Sequence, residues 1–185
     1  VLAGGGHVSK AISEIAASLG FRIFIIDDRE DFSNPTRFPE AEQTVVSDYG
    51  SAFKKLPIGT NSFIVIATRG HRYDASATAA AMKTPASYVG LLGSKRKTIL
   101  IFEELFSEGF TMEEVQSVRS PIGLNISART PEEIALSIMA EIVGFRLGGD
   151  GGTLKLNQLL IDKAAEKADS RPENAPTPEA AVGAD

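Results

Sequence analysis

The feature that most constrains the fold of this chain is its opening stretch, residues 1–9, which reads VLAGGGHVS. A short apolar run leads into Gly4 and Gly6, which take the first two positions of a G-x-G-x-x-G pattern, with Ser9 at the third. The first glycine permits a tight turn, the second lets a phosphate approach the backbone, and a small third residue lets the next helix pack closely. Because that helix directs free N–H groups and a positive dipole end at the turn, the pattern favours phosphate binding.

An acidic pair follows the glycines at the spacing that a Rossmann unit requires. The second apolar run, residues 21–26, ends in Asp27 and Asp28, near the ~20-residue offset at which a carboxylate contacts a ribose hydroxyl. The order of strand, glycines, helix, strand and acid predicts a Rossmann-type unit, although glycines and aspartates are also ordinary turn residues. Arg29, directly after the acids, is interpreted either as an adenine or 2′-phosphate contact or as a solvated loop residue.

Strand-like and helix-like segments alternate along the chain, which predicts an α/β fold. We expect a Rossmann-like, doubly wound parallel sheet of about five strands in the order 3-2-1-4-5, with helices on both faces. Ligands bind such sheets at the carboxyl ends of the strands, here between the first and fourth strands. The predicted strands end at Ala3 or cover residues 21–27, 44–47, 62–67 and 87–92. The predicted helices cover residues 7–19, 51–55, 73–82, 94–107, 111–117 and 131–147.

The composition changes after residue 147, so we expect two parts. Residues 1–147 are expected to form the Rossmann-like domain, and residues 148–185 a Gly-rich linker with a largely disordered tail. A marginal amphipathic helix over residues 154–168 is expected within the second part, with disorder beyond Asp169. Since the chain opens on Val1 and its first strand is short, we expect further residues upstream in a longer protein.

The formal net charge of −5 and the absence of cysteine exclude several classes of function. The acidic balance argues against broad nucleic-acid binding. A chain without cysteine forms no disulfide, thiolate metal site or cysteine nucleophile, and His7 and His71 alone cannot make a three-histidine zinc site, so no metal site is predicted. There is no apolar run long enough to cross a bilayer and no signal peptide, and we expect a cytoplasmic protein without a membrane span.

The segment after the fourth predicted strand, residues 68–74, reads TRGHRYD and lines the expected crevice. His71 and Asp74 are three residues apart and share a face once a helix begins, so the carboxylate can fix the imidazole tautomer and make His71 a general acid or base. The alternative is that Asp74 or Thr68 caps the helix and His71 shapes the loop. His7, in the glycine turn, is expected to face the same crevice from the other side.

Three cations follow the fifth predicted strand in the sequence Gly93-Ser94-Lys95-Arg96-Lys97. Cations at a helix start oppose the helix dipole, which prefers anions there. Local rules are broken most often at functional sites, and a bound phosphate would resolve this conflict. The alternative is a solvated basic turn on an acidic protein.

The last predicted helix begins with a capping box at Thr130 and carries apolar residues that we expect to remain exposed. These residues, Leu136, Met139 and Val143, predict a homodimer. The preceding apolar turn, residues 121–125, has no explanation from local physics.

Five separated motifs, found in order, resemble the C-terminal Rossmann domain of the xanthine dehydrogenase accessory (XdhC/CoxI) family, and the resemblance covers about residues 1–147. The matching stretches are GGGHV at 4–8, IIDDREDF at 25–32, TRGHRYD at 68–74, YVGLLGSKRK at 88–97 and SPIGLNISARTPEEIALSIMAEI at 120–142. Members usually carry Asp where this chain has Asn125, which weakens any carboxylate role there. The family's N-terminal domain, with its cysteine motif, is absent from this chain.

The resemblance implies a maturation factor that binds molybdenum cofactor (molybdopterin), supports its sulfuration and delivers it to an apo xanthine or carbon monoxide dehydrogenase. A cysteine desulfurase is a further implied partner. Such a factor works by protected binding and handover, so we lean towards a protein that is not an enzyme. Molybdenum cofactor carries a phosphate or a pyrophosphate, which suits the predicted anion site. The expected cofactor-binding residues are Gly4, Gly6, His7, Asp27, Asp28, Thr68, Ser94, Lys95 and Arg96.

Two other functions are compatible with the sequence. The first is an NAD(P)-dependent oxidoreductase that uses the Rossmann crevice, with His71 and Asp74 as catalytic residues and His71 as a proton relay. The second is an interaction module in which the nucleotide site is vestigial.

Overall fold

A computed structural model describes residues 1–169 of the chain; the disorder expected beyond Asp169 concerns residues outside this range. Five parallel strands form one sheet in the order β3-β2-β1-β4-β5, which confirms the predicted fold class and strand order. The strands are β1 (Leu2–Ala3), β2 (Phe24–Asp27), β3 (Gln43–Val46), β4 (Phe63–Ile66) and β5 (Tyr88–Leu91).

Seven helices accompany these strands within the described residues, and short 3-10 turns cover Glu30–Phe32 and Phe53–Lys55. The helices are α1 (His7–Ser18), α2 (Tyr49–Ala52), α3 (His71–Met82), α4 (Lys95–Ser107), α5 (Met112–Ser117), α6 (Pro131–Leu147) and α7 (Gln158–Asp169).

Several element boundaries differ from the predictions, and backbone hydrogen bonds explain two of these differences. The second strand begins at Phe24 rather than at Phe21, because the Phe21 amide donates back to the Ala16 carbonyl and still belongs to the end of α1. Helix α3 begins two residues earlier than predicted, because the Asp74 amide already donates to the Gly70 carbonyl.

The strands are apolar along most of their length because helices cover both faces of the sheet. Successive strand residues point to opposite faces. One face packs against α1 and α6, in a core that includes Leu2, Ile12, Ile25, Val65, Ile138 and Ile142. The other face packs against α2, α3 and α4, in a core that includes Ile26, Ile64, Ile66, Ala77, Leu91, Ile101 and Leu105.

The segment between α5 and α6 pairs with the outer edge of β5. Arg119 exchanges backbone hydrogen bonds with Val89 and Leu91 of β5, so that this edge is paired. Glu141 of α6 then accepts hydrogen bonds from the Tyr88 hydroxyl and the Gly123 amide. The apolar turn at residues 121–125 is therefore held by hydrogen bonds from its backbone to two elements: the Ile122 amide donates to the Leu91 carbonyl of β5, and the Gly123 amide donates to Glu141 of α6.

The exposed apolar surface predicted on α6 is only partly present. Met139 is 3% exposed and packs in the core with α1, so its use as evidence for a homodimer was wrong. Val143 is half-buried, and Leu136 is 54% exposed. Helix α6 packs against α1 on one face of the sheet, and Met139 lies in this contact region with Ile138 and Ile142, which the three-residue pattern did not predict.

Residues Val1–Gly151 form one compact unit, and a second unit begins at Gly152. The described part of the second unit, residues 152–169, contains α7, which begins four residues later than the predicted amphipathic helix. Among the described residues no helix has the length and apolar character needed to span a bilayer.

The glycine turn provides a test of how closely β1 and the loop after β4 approach each other. Gly4 has φ +107°, and a Cβ there would lie 2.2 Å from the Ala67 carbonyl oxygen, whereas a Cβ at Gly6 would meet open space. We expect Gly4→Ala to lower the free energy of unfolding by about 1–3 kcal/mol. Gly6→Ala, the matched control, is expected to cost less than about 1 kcal/mol. Urea denaturation measures both, and equal losses would contradict this account of the turn.

Candidate functional site

The glycine turn lies at the carboxyl end of β1, and its three glycines have different surroundings. Gly4 packs against the backbone of Ala67 and Thr68, and a Cβ at Gly5 would lie 1.7 Å from the Phe32 carbonyl oxygen. Gly6 alone of the three faces open space. As the N-cap residue of α1 it brings no capping side chain, so the first N–H groups of the helix remain available to a ligand.

The carboxylate of Asp27 holds this turn in place from the end of β2. It is 1% exposed and accepts a hydrogen bond from the Gly5 amide at 2.9 Å. Arg29 donates to the same carboxylate from its backbone amide at 3.1 Å, from Nε at 2.9 Å and from Nη2 at 3.2 Å. Burial alone would raise the pKa of Asp27, but the hydrogen bonds from Arg29 and Gly5 outweigh it and hold that pKa below the ordinary value.

Asp28 is bound by an arginine from the other side of β1. The Arg69 guanidinium, in the loop after β4, donates to Asp28 Oδ2 at 2.7 Å and to the Tyr73 hydroxyl at 2.8 Å. Because β1 lies between β2 and β4, this ion pair spans the end of β1. Tyr49 is buried in the same region, where burial and the charges of Asp27 and Asp28 raise the pKa of its hydroxyl.

The predicted pairing of His71 with Asp74 was wrong, because the structure gives these residues different partners. Asp74 is fully buried and accepts hydrogen bonds from the Thr68 amide at 3.1 Å and the Thr68 hydroxyl at 2.7 Å. It also forms an ion pair with Lys97 of α4. His71 is exposed, and its Nε2 lies 3.5 Å from a carboxylate oxygen of Glu104. Asp74 therefore joins the loops after β4 and β5 instead of activating a histidine.

Of the three cations at the start of α4, one forms an ion pair inside the protein and two are exposed to solvent. Lys97 turns back to Asp74, and its ammonium lies 3.3 Å from the Leu92 carbonyl oxygen. Lys95 and Arg96 are exposed, and Ser94 caps the helix by accepting a hydrogen bond from the Lys97 amide at 3.3 Å. Lys97 therefore organises the loops, and Lys95 and Arg96 are the cations that can meet a ligand.

The predicted site residues fall into two groups at the carboxyl ends of the strands. His7 is exposed beside Gly6, and Thr68, Ser94, Lys95 and Arg96 follow the two neighbouring strands, β4 and β5. Asp27 and Asp28 lie on the β2 side and are bound to arginines. The sequence did not indicate Arg69 as the partner of Asp28 or Lys97 as the partner of Asp74, because each ion pair joins residues more than 20 positions apart.

A concavity of about 740 Å³ lies at the opposite end of the strands. Its two arginines are already engaged: Arg22 pairs with Glu42, and Arg146 lies over the Phe21 ring at 4.7 Å. Among the described residues no cluster of three or more His, Asp or Glu side chains is arranged to hold a metal ion.

The chain belongs to the XdhC Rossmann domain family, whose model matches residues 1–142. A solved structure described as a xanthine dehydrogenase from Bacillus halodurans superposes with a TM-score of 0.68 at 26% identity, covering 83% of this chain and 44% of that one. The family, the glycine turn and the strand order therefore agree, and the family predicted from the five motifs is confirmed.

Three curated relatives carry different names. The chain is 36% identical to the uncharacterized protein YqeB of Escherichia coli over 83% of its length and 28% of the relative's. It is 29% identical to a probable xanthine dehydrogenase subunit of Bacillus subtilis over 79% of its length and 42% of the relative's. It is 28% identical to the molybdenum cofactor insertion chaperone PaoD of Escherichia coli over 55% of its length and 32% of the relative's. The chain thus spans less than half the length of each.

The buried Asp27 predicts a specific dependence of stability on pH. A carboxyl group whose pKa is lower in the folded than in the unfolded state stabilises the fold above the unfolded pKa, near 3.8, and loses that contribution as the pH falls through the folded pKa. We expect Asp27→Asn to be less stable than the wild type by about 1–3 kcal/mol at pH 7, because Arg29 and the Gly5 amide lose a charged acceptor. The difference should stay constant down to about pH 5 and shrink below pH 3.8.

Urea denaturation across this pH range measures the difference for Asp27→Asn and for Asp31→Asn, an exposed control. The control is expected to change the free energy of unfolding by less than about 0.5 kcal/mol. A wild-type advantage over Asp27→Asn that persists undiminished at about pH 2.5 would contradict the assignment of a lowered pKa to this carboxyl group.

Proposed function

We propose that this domain binds the phosphate end of a molybdenum cofactor and holds the cofactor for insertion into a molybdoenzyme of the xanthine dehydrogenase type. The single observation that carries the proposal is the open N-terminus of α1 at Gly6, on the same sheet edge as the exposed cations Lys95 and Arg96. The names of two relatives, a molybdenum cofactor insertion chaperone and a probable xanthine dehydrogenase subunit, support the choice of cargo and recipient.

The chemistry available at this edge is binding by hydrogen bonds and charge. The free N–H groups of α1 donate to phosphate oxygens approaching Gly6, and the helix dipole favours their negative charge. Lys95 and Arg96 contribute charge-assisted contacts across β4, with the Thr68 segment between them. Exposed cations of this kind exchange partners readily, which suits a carrier that must release its cargo.

We assign no catalytic turnover to the domain. His71 is the candidate proton relay of an oxidoreductase. It lies beside Glu104, whereas the buried Asp74 contacts Thr68 instead of His71. The sequence contains no cysteine, so this chain has no thiol on which a transferable sulfur could be held as a persulfide. A cysteine desulfurase partner and a homodimer stay predictions.

Binding of isolated molybdenum cofactor, measured by isothermal titration calorimetry under anaerobic conditions, tests the proposal. We expect the wild-type chain to bind at micromolar protein concentration. Gly6→Ala fills the open space at the turn, and Lys95→Ala/Arg96→Ala removes the exposed cations. We expect each to weaken binding by about tenfold or more, equivalent to about 1.4 kcal/mol.

The matched control for the double variant is Arg22→Ala/Lys83→Ala, which removes two cations from the opposite end of the strands. Its affinity should stay within about threefold of the wild type, and only the Lys95/Arg96 variant should reduce the salt dependence of binding. Absence of binding by the wild type, or equal losses in both double variants, would refute the proposed site.

A further inference from the structure

At the end of β2, where a Rossmann domain would bind the nucleoside of a dinucleotide, the chain's own arginines occupy the acidic residues. In a Rossmann domain that binds a dinucleotide, the acid at the end of the second strand accepts hydrogen bonds from the ribose. Here that acid is Asp27, and its oxygens already accept from the Gly5 amide, the Arg29 amide and the Arg29 guanidinium. A carboxylate offers about four lone-pair sites, so these donors leave none for a ribose hydroxyl.

Arg29 is fixed in this position from a second direction. Its guanidinium lies 3.6 Å from the centroid of the Phe32 ring, and the Arg37 guanidinium lies 5.2 Å from the same centroid. Arg37 in turn donates to the Gly5 carbonyl at 2.8 Å. Because stacking on Phe32 and the ion pair with Asp27 both fix the guanidinium, Arg29 is a structural residue at the end of β2 and is not available to bind a 2′-phosphate.

Arg69 closes the route from the glycine turn towards β2. Its ion pair with Asp28 crosses the end of β1, and its guanidinium also lies 4.6 Å from the centroid of the Tyr73 ring. A dinucleotide extended from α1 over β1 and β2 would have to displace this pair. A ligand that extends the other way, over β4 and β5, meets Thr68, Lys95 and Arg96 instead.

We infer that Arg29 and Arg69 are specificity-determining residues, which exclude NAD-type dinucleotides from a glycine turn that otherwise has the pattern to bind them. The ligand class that remains is a phosphorylated molecule whose phosphate lies at Gly6 and whose other parts lie over β4 and β5. The identity of that ligand rests on the proposed function, but the exclusion of NAD does not.

A gain-of-function measurement tests this inference with NAD as the probe. The wild-type chain is expected to show a Kd for NAD above about 1 mM by saturation-transfer NMR. Arg29→Ala/Arg69→Ala frees both acids, and we expect it to bind NAD at least about tenfold more tightly. The matched control, Arg22→Ala, removes an arginine paired with Glu42 at the opposite edge and should leave NAD binding unchanged.

Wild-type binding of NAD with a Kd below about 1 mM would overturn the inference, and so would a folded double variant that gains no affinity. Circular dichroism and the urea midpoint establish folding. If removal of Arg29 from the buried Asp27 prevents folding, the exposed Arg69→Ala variant decides instead, with an expected gain of at least about threefold. Parallel titration with molybdenum cofactor separates the two hypotheses, since failure of the wild type to bind cofactor refutes the proposed function and leaves the NAD result standing.

Discussion

The hydrogen bond between the Asp27 carboxylate and the Gly5 amide is the contact on which this sheet edge depends. Gly4 and Gly5 lie so close to the loop after β4 and to Phe32 that neither position has room for a side chain. In so tightly enclosed a turn few backbone N–H groups remain free, and Asp27 accepts a hydrogen bond from the Gly5 amide. Gly6 is consequently left as the one open glycine of the turn, at the start of α1.

A second buried acid performs the same task on the other side of β1. Asp74 contacts Thr68 in the loop after β4 and Lys97 at the start of α4, so that one side chain joins the two loops. Burial of these two carboxyl groups is tolerated because each of them contacts hydrogen-bond donors or a cation. The acids therefore hold together the loops at the carboxyl ends of the strands, and the exposed Lys95 and Arg96 lie outside these contacts, as the proposed anion site requires.

The sequence was sufficient to predict the strand order, because the glycine pattern and the apolar strands are local signals. It was not sufficient to predict partners. The spacing of His71 and Asp74 indicated a pair, yet a carboxylate at the start of α3 also faces the neighbouring loop, and burial against Lys97 decided between the two. Met139 likewise follows a pattern that fits either a surface stripe or a core contact, and only the packing of α6 on α1 distinguishes them.

The same residues explain how a dinucleotide-type motif occurs in a family linked by its relatives' names to molybdenum cofactor insertion. The motif specifies a tight turn and an exposed helix N-terminus, and both are independent of what lies beyond the phosphate. Specificity arises one strand further along the sheet, where Arg29 occupies the acid that would otherwise accept a ribose. Ligand specificity therefore depends on residues outside the glycine pattern. The pattern alone indicates that a phosphate binds, and residues at the ends of the neighbouring strands determine which molecule carries that phosphate.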